Sequence, residues 1–258
     1  MGHPHGMPIW YELITADPDA AEAFYGAVLG WTFSRPPGGL SRGYRVGSAA
    51  DVPVAGILPR PEGAAIADSW FVYFAVEDPD ATIDALEKKG GSVHMPATDI
   101  PGVGRIALVS DPQGIPFYVM RGEGDGGSRS FMPGGQALVG HSVWNELTTS
   151  DPAAAIAFYG AILGIRQEGA MPMGALGDYQ FLHTGDTGIG AVMGEGPSGR
   201  KAWQVYFLVS EIGAAVNRLA EAGGKILQGP DEIPGGAFSV VAEDAGGIRF
   251  GMVGHRAG

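Results

Sequence analysis

The hydrophobic and polar positions of this chain follow two periods in turn, and each change of period marks the border of an element. Residues 9–15 alternate and are rich in strand-forming side chains, which predicts a β-strand. Apolar side chains then recur at helical spacing after Asp17-Pro18, a good helix start, and Gly30 ends this predicted helix. Three short strands are predicted next, near residues 31–35, 43–48 and 53–59. The order of these elements is β-α-β-β-β.

The same order of elements returns along the rest of the chain. Residues 70–76 are predicted as a strand and residues 78–89 as a helix that ends at Gly90-Gly91. Further strands are predicted near residues 92–95, 104–110 and 115–121. In the second half, strands are predicted to begin near residues 142, 178, 187, 203, 225, 237 and 247. Helices are predicted there near residues 152–163 and 211–222. The chain therefore consists of four β-α-β-β-β units.

The sequence at the start of the first unit is repeated in the second half of the chain. Residues 10–31 (WYELITADPDAAEAFYGAVLGW) and 144–165 (WNELTTSDPAAAIAFYGAILGI) are identical at 15 of 22 positions without a gap. The copies lie 134 residues apart in a chain of 258 residues, which indicates two similar domains. We predict a first domain at residues 1–121, a Gly-rich linker at 122–135 and a second domain at 136–258.

The composition narrows the class of protein further. The chain has no cysteine, so disulfides and thiolate metal sites are excluded. Its net charge of -12 argues against binding to nucleic acid or to an anionic membrane, because both need basic surfaces. No apolar run approaches the roughly 20 residues of a membrane span, and the first residues lack the features of a secretory signal. We therefore expect a cytoplasmic protein.

Four short motifs recur in the same order in both halves of the chain. Each half has a helix-capping Asp, a Phe-Tyr pair, a Leu-Gly pair and a late turn that begins with Asp. In the first half these are Asp17, Phe24-Tyr25, Leu29-Gly30 and Asp111-Pro112-Gln113-Gly114. In the second half they are Asp151, Phe158-Tyr159, Leu163-Gly164 and Asp244-Ala245-Gly246-Gly247.

With these motifs the chain resembles the vicinal oxygen chelate superfamily. That superfamily includes glyoxalase I, the extradiol dioxygenases, fosfomycin-resistance enzymes and bleomycin-binding proteins. The tandem arrangement with a Trp-x-Glu-Leu opening is similar to bacterial glyoxalase-like proteins. The resemblance implies an α+β fold in which four β-α-β-β-β units form two tandem domains, with curled mixed or antiparallel sheets and outer helices. It says little about the reaction, because this fold hosts many chemistries.

The resemblance also implies a cup in each domain that holds a divalent metal, with ligands at fixed positions. Carried over one by one, these positions are Trp10, Gly56, Phe71 and Tyr118 in the first copy, and Trp144, Ala191, Gln204 and Gly251 in the second. Only Gln204 offers a donor atom of the kind that hard divalent metals prefer. We therefore predict no metal cofactor at these positions, while a divalent metal at other positions stays open.

Strand alternation predicts what lies in the cups instead. Trp10 and Glu12 share one face of the first strand, as Trp144 and Glu146 do in the second copy. The aromatic or polar side chains that share these faces are Phe71, Tyr73 and Tyr118 in the first cup, and Gln204 and Tyr206 in the second. We expect the second cup to be roomier, because Gly251 replaces Tyr118. His183, on a strand of the second copy with no counterpart in the first, is a further candidate.

Two interpretations of Glu12 and Glu146 follow from this arrangement. Each can contact a ligand or act as an acid or base, or each can be a structural residue that hydrogen-bonds to the backbone or to an arginine on a predicted strand. The candidate arginines are Arg45, Arg105 and Arg249.

The first functional hypothesis is a protein that binds a small organic ligand in aromatic cups. The alternatives are an enzyme that uses Glu12 or Glu146 as acid or base, and a metal-dependent lyase, isomerase or dioxygenase with relocated ligands. Because two domains in one chain can pair with each other, we expect a monomer or a homodimer.

Overall fold

The computed structural model describes residues 3–36, 43–63, 66–124, 127–174, 177–196 and 199–256. The first repeat contains two helices, α1 (Pro18–Leu29) and α2 (Pro79–Lys88). Its strands are β1 (Pro8–Thr15), β2 (Thr32–Ser34), β3 (Arg45–Ala49), β4 (Val52–Pro59), β5 (Ser69–Ala75), β6 (Ser92–Ile100), β7 (Gly104–Ser110) and β8 (Pro116–Gly122). None of the helices in the described ranges has the length and apolar character needed to cross a membrane.

The second repeat has the same elements in the same order. Its helices are α3 (Pro152–Leu163) and α4 (Ile212–Glu221). Its strands are β9 (Ser142–Thr149), β10 (Arg166–Pro172), β11 (Asp178–Thr184), β12 (Thr187–Gly194), β13 (Ala202–Leu208), β14 (Lys225–Ile233), β15 (Ala237–Glu243) and β16 (Arg249–Gly254). A 3-10 turn at Gly134–Gln136 precedes β9.

Each repeat forms one mixed eight-stranded sheet. The strand order is β2-β3-β4-β1-β5-β8-β7-β6 in the first repeat and β10-β11-β12-β9-β13-β16-β15-β14 in the second. Within each β-α-β-β-β unit the first and last strands are parallel, and the remaining neighbours within a unit are antiparallel. The α+β architecture with two repeated domains is therefore confirmed.

Two details of the predicted elements were wrong. The sequence pattern gave no strand at β10, and it ended β6 near residue 95 although the strand continues to Ile100. Both strands lie at an edge of their sheet, and all their side chains are exposed or half-buried. An edge strand exposed in this way needs little apolar sequence, so its periodic signal is weak.

The helix borders follow directly from the predicted capping residues. Asp17 and Asp151 each accept a hydrogen bond from the backbone N–H three residues further on, at 3.0 Å. Gly30 and Gly164 end α1 and α3 in the left-handed conformation, with φ of 73° and 64°. Glycine adopts this conformation without the steric cost that other residues carry.

Residue contacts group the chain into two compact units that do not coincide with the two repeats. One unit takes the described residues of Met1–Ile9, Phe71–Ser128 and Asn145–Trp203. The other takes those of Trp10–Trp70, Arg129–Trp144 and Gln204–Gly258. Each unit therefore combines one β-α-β-β-β unit from each repeat. Of the predicted linker, residues 125–126 lie outside the described residues, and Phe131 is buried and bridges to Ser142.

A buried hydrogen-bond chain joins the two repeats within the second of these units. The indole Nε1–H of Trp70 donates to the Tyr25 hydroxyl at 2.9 Å, and that hydroxyl donates to Asp244 Oδ2 at 3.0 Å. Asp244 Oδ1 also accepts from the backbone N–H groups of Gly246 and Ile248, both at 2.9 Å. Burial raises the pKa of the Asp244 carboxyl above its ordinary value. Asp244 thus accepts hydrogen bonds both from the Tyr25 hydroxyl of α1 and from backbone N–H groups of its own turn.

The first compact unit contains an equivalent series of hydrogen bonds. Here the Trp and the Tyr come from the second repeat and the Asp comes from the first. The indole Nε1–H of Trp203 donates to Tyr159 at 3.0 Å, and the Tyr159 hydroxyl donates to Asp111 Oδ2 at 3.2 Å. Burial raises the pKa of the Asp111 carboxyl as it does for Asp244. The motif residues that identify the repeats are thus also the residues that join them.

Candidate functional site

In the first repeat, Glu12 on β1 lies under a tyrosine. The Tyr44 hydroxyl donates to Glu12 Oε2 at 3.2 Å, and both residues are buried. Gly56 on β4 is the register partner of Glu12. A Cβ atom added to Gly56 would overlap the Tyr44 hydroxyl and lie 2.9 Å from Glu12 Oε2. The missing side chain at Gly56 therefore lets the Glu12–Tyr44 pair sit deep against the sheet, where Glu12 is only 2% exposed.

In the second repeat, Glu146 on β9 makes the corresponding pair in a more open position. The Tyr179 hydroxyl donates to Glu146 Oε2 at 3.0 Å, and both side chains are half-buried. The register partner of Glu146 is Ala191 on β12, which has the methyl group that Gly56 lacks. That methyl group occupies the space into which the tyrosine of the first repeat settles.

The strand β11 carries a row of three half-buried side chains, Tyr179, Phe181 and His183, at alternate positions. The rings of Tyr179 and Phe181 meet edge to face, with centroids 6.1 Å apart. Leu182 and Thr184, which alternate with them, are buried. Within the described part of the chain, no group hydrogen-bonds to the buried Nδ1 atom of His183.

The interpretation that pairs Glu12 and Glu146 with strand arginines is wrong. The guanidinium of Arg45 binds Asp19 and Glu22 of α1. Arg105 binds Asp80 and Asp99, with N–O distances of 2.7 Å and 3.0 Å, and Arg249 lies 3.6 Å from Glu243. Tyrosines hydrogen-bond to the two glutamates instead.

The aromatic residues expected to line the first cup pack on one another. The rings of Tyr73 and Tyr118 stack with centroids 4.1 Å apart and 7° between their planes. Phe71 meets Tyr118 edge to face at 5.9 Å. All three side chains are buried, so much of their ring surface is used in these contacts.

In the second repeat, the ring of Tyr206 fills the space that was expected beside Gly251. A Cβ atom on Gly251 would overlap the ring of Tyr206, which therefore covers this glycine. The Gln204 side-chain amide donates to the Tyr206 hydroxyl at 2.9 Å, and both residues are buried. Trp10 and Trp144, which begin the repeated segment, are both half-buried.

The residues present do not fit the divalent metal that the resemblance implies. At the expected ligand positions, Trp10 and Phe71 have no oxygen donor, and Gly56 and Ala191 have no side-chain donor at all. Gln204 offers one side-chain oxygen, Oε1, and its Nε2 donates to the Tyr206 hydroxyl, so it supplies a single donor where a divalent ion needs several. In the described ranges, no three histidine or carboxylate side chains lie close enough together to share one ion.

Sequence reasoning missed Tyr44 and Tyr179, the partners of the two glutamates. A signal for them was present, because these tyrosines recur at an offset of 135 residues, nearly that of Glu12 and Glu146. Tyr44 comes just before β3, and Tyr179 follows Asp178, a residue of low strand propensity. The alternation of apolar and polar residues therefore identifies neither tyrosine as a cup residue. Only the register between strands places each hydroxyl on its carboxylate.

Two sheets of paired β-α-β-β-β units, each with a carboxylate on its first strand, define a two-domain glyoxalase-like protein. The chain belongs to the Glyoxalase/Bleomycin resistance protein/Dioxygenase superfamily, whose model matches residues 8–119 and 139–252.

Related proteins match over nearly the whole chain. It is 35% identical over 254 residues to a protein of Mycobacterium tuberculosis named putative glyoxylase CFP32, covering 94% of this chain and 93% of that protein. It is 32% identical over 269 residues to the anthracycline biosynthesis protein DnrV of Streptomyces peucetius, covering 98% and 94%. The Mn(II)-bound glyoxalase from Novosphingobium aromaticivorans shares the fold, with a TM-score of 0.69, 18% identity, and coverage of 99% of this chain and 84% of that one.

Proposed function

We propose that this protein binds a small, partly aromatic organic molecule in its second repeat, with Glu146 and Tyr179 as the polar contacts. The observation that carries this proposal is the difference between the two Glu–Tyr pairs. The Glu12–Tyr44 pair is buried against Gly56, whereas the Glu146–Tyr179 pair is half-buried. A ligand can therefore reach the second pair without first displacing a buried side chain.

The chemistry of this second pair suits a ligand with a hydrogen-bond donor. A carboxylate offers about four acceptor positions on its two oxygens, so Glu146 can accept from Tyr179 and from a ligand hydroxyl together. The ring of Phe181, on the same row of β11, provides an apolar aromatic surface beside this polar contact. A phenol or a hydroxylated ring system combines both features.

The name of one relative guides the choice of probe. The Streptomyces peucetius protein is named for anthracycline biosynthesis, so we choose hydroxylated anthraquinones as probes. The cytoplasmic location predicted from the sequence is part of this proposal.

The test is an isothermal titration of the purified protein with 2-hydroxyanthraquinone. Glu146→Gln keeps the shape of the side chain and removes its charge, so we expect affinity to fall about tenfold. The matched variant Glu12→Gln, in the first repeat, should leave affinity within about twofold. The proposal is overturned if the wild-type protein does not bind the probe, or if Glu12→Gln is the variant that weakens binding.

The same Glu146→Gln variant separates binding from catalysis. If Glu146 acts as an acid or base, the variant should lose conversion even when excess substrate saturates its weakened site. Unchanged turnover in Glu146→Gln would exclude that role for this residue.

A further inference from the structure

The row of side chains on β11 extends beyond the Glu146–Tyr179 pair and ends in a second polar group. Tyr179 and His183 lie four residues apart on one strand, which separates their Cα atoms by about 13 Å. Phe181 lies between them on the same row. Polar side chains therefore lie at both ends of this row, and the Tyr179 hydroxyl donates to Glu146, whose backbone on β9 is level with Phe181 through Ala191.

We infer that the ligand is an elongated planar molecule with a hydroxyl group at each end, which reaches from Glu146 on β9 past Phe181 to His183 on β11. This inference rests on the proposed function and adds the class of ligand to it. One hydroxyl donates to the Glu146 carboxylate, the ring system lies over Phe181, and the second hydroxyl contacts the imidazole of His183.

The state of His183 supports the far contact. Its Nδ1 atom is buried, and no hydrogen-bond partner exists for it among the described residues. A buried polar nitrogen without a partner is unfavourable, and a partner supplied by a ligand removes that cost. A hydroxyl both donates and accepts, so it suits either tautomer of the ring.

The first repeat lacks this row. Val46 and Ser48 stand at the positions that correspond to Phe181 and His183, as the pairing of Val46 with Gly56 and of Phe181 with Ala191 shows. The aromatic surface and the second polar end are therefore features of the second repeat alone, which agrees with a ligand site there.

The experiment compares two probes that differ only in the second hydroxyl. We expect the wild-type protein to bind 2,6-dihydroxyanthraquinone about tenfold tighter than 2-hydroxyanthraquinone in isothermal titrations. His183→Leu should abolish this difference between the two probes. His183→Gln, which retains a polar group, should restore part of the difference. Ser48→Ala, the matched change in the first repeat, should leave both affinities unchanged.

Three outcomes contradict the inference, and they differ in what else they affect. If the wild-type protein binds both probes equally, or if His183→Leu weakens both equally, the two-ended ligand is wrong while the proposed function stands. If neither probe binds, the proposed function fails and the inference fails with it. His183→Gln gives the same comparison should His183→Leu fail to fold, which a thermal unfolding curve of each variant shows.

Discussion

At position 56 a hydrogen atom stands where position 191 carries a methyl group, and this difference places the two Glu–Tyr pairs at different depths. In the first repeat the Tyr44 hydroxyl fills the space above Gly56, and Glu12 beneath it is buried. In the second repeat the methyl group of Ala191 occupies that space, and the pair is half-buried. Accessibility of a carboxylate is thus controlled by its cross-strand neighbour.

The first prediction concerns this neighbour. Gly56→Ala should push Tyr44 off Glu12 and lower the free energy of unfolding by about 1–3 kcal/mol, because the added methyl group overpacks a filled site. Urea unfolding measures the loss, and the exposed fraction of Tyr44 should rise. The reverse change, Ala191→Gly, is the control and should cost less than about 1 kcal/mol. Equal stability of Gly56→Ala and wild type would show that the pair does not depend on Gly56.

At the scale of elements, periodicity predicted the helices and nearly all the strands of the described residues, including the weakly buried β2 and β14. The helices α1 and α3 were predicted from Asp17, Asp151 and their closing glycines, because capping is a local interaction. The edge strand β10 was missed, because its exposed side chains carry no apolar alternation. Alternation also identified Glu12 and Glu146, but a tyrosine partner depends on register between distant strands, which alternation within one strand does not determine.

The segment before β1 behaves as an anchor for the first compact unit. The backbone N–H of Gly6 donates to the Ala75 carbonyl at 2.7 Å, and the Gly6 carbonyl accepts from the Thr184 hydroxyl at 3.1 Å. The imidazole Nε2 of His5 lies 2.9 Å from the Ile162 carbonyl oxygen. The segment thereby connects β5, α3 and β11.

The second prediction tests this anchor through its glycine. Gly6 has a φ of 80°, and a Cβ atom there would overlap the Leu163 carbonyl oxygen. Gly6→Ala should therefore cost more than Gly30→Ala, which has a similar φ of 73° and open space around it. The control should cost about 1–2 kcal/mol from the backbone conformation alone. Thermal unfolding of both variants measures the difference, and equal costs would mean that Gly6 is not held against Leu163.

At the scale of the whole molecule, the compact units and the sequence repeats divide the chain in different ways. Each unit needs residues from both repeats, and the chains Trp70–Tyr25–Asp244 and Trp203–Tyr159–Asp111 are the buried connections. The sequence showed the repeat and its motifs, but it did not show that Tyr25 pairs with an Asp 219 residues away. Such pairing is a property of the folded chain rather than of any local pattern.

The third prediction follows from this division. Residues 1–126 expressed alone lack the Asp244 and Trp203 sides of the two connections, so this half should aggregate or self-associate rather than unfold cooperatively as a monomer. Coexpression with residues 127–258 should restore a complex with the mass and unfolding midpoint of the intact chain. Light scattering and thermal unfolding measure both properties. A monomeric first half with a cooperative transition would show that each repeat folds independently.

The crossed hydrogen-bond chains also bear on how the two copies have evolved. A duplicated gene ordinarily leaves one copy free to change or to be lost. Here a substitution at Tyr25 in one copy changes the surroundings of Asp244 in the other, and the same holds for Tyr159 and Asp111. Each copy therefore supplies a hydrogen-bond partner that the other copy needs, so the loss of either copy would leave a buried tyrosine hydroxyl without its carboxylate.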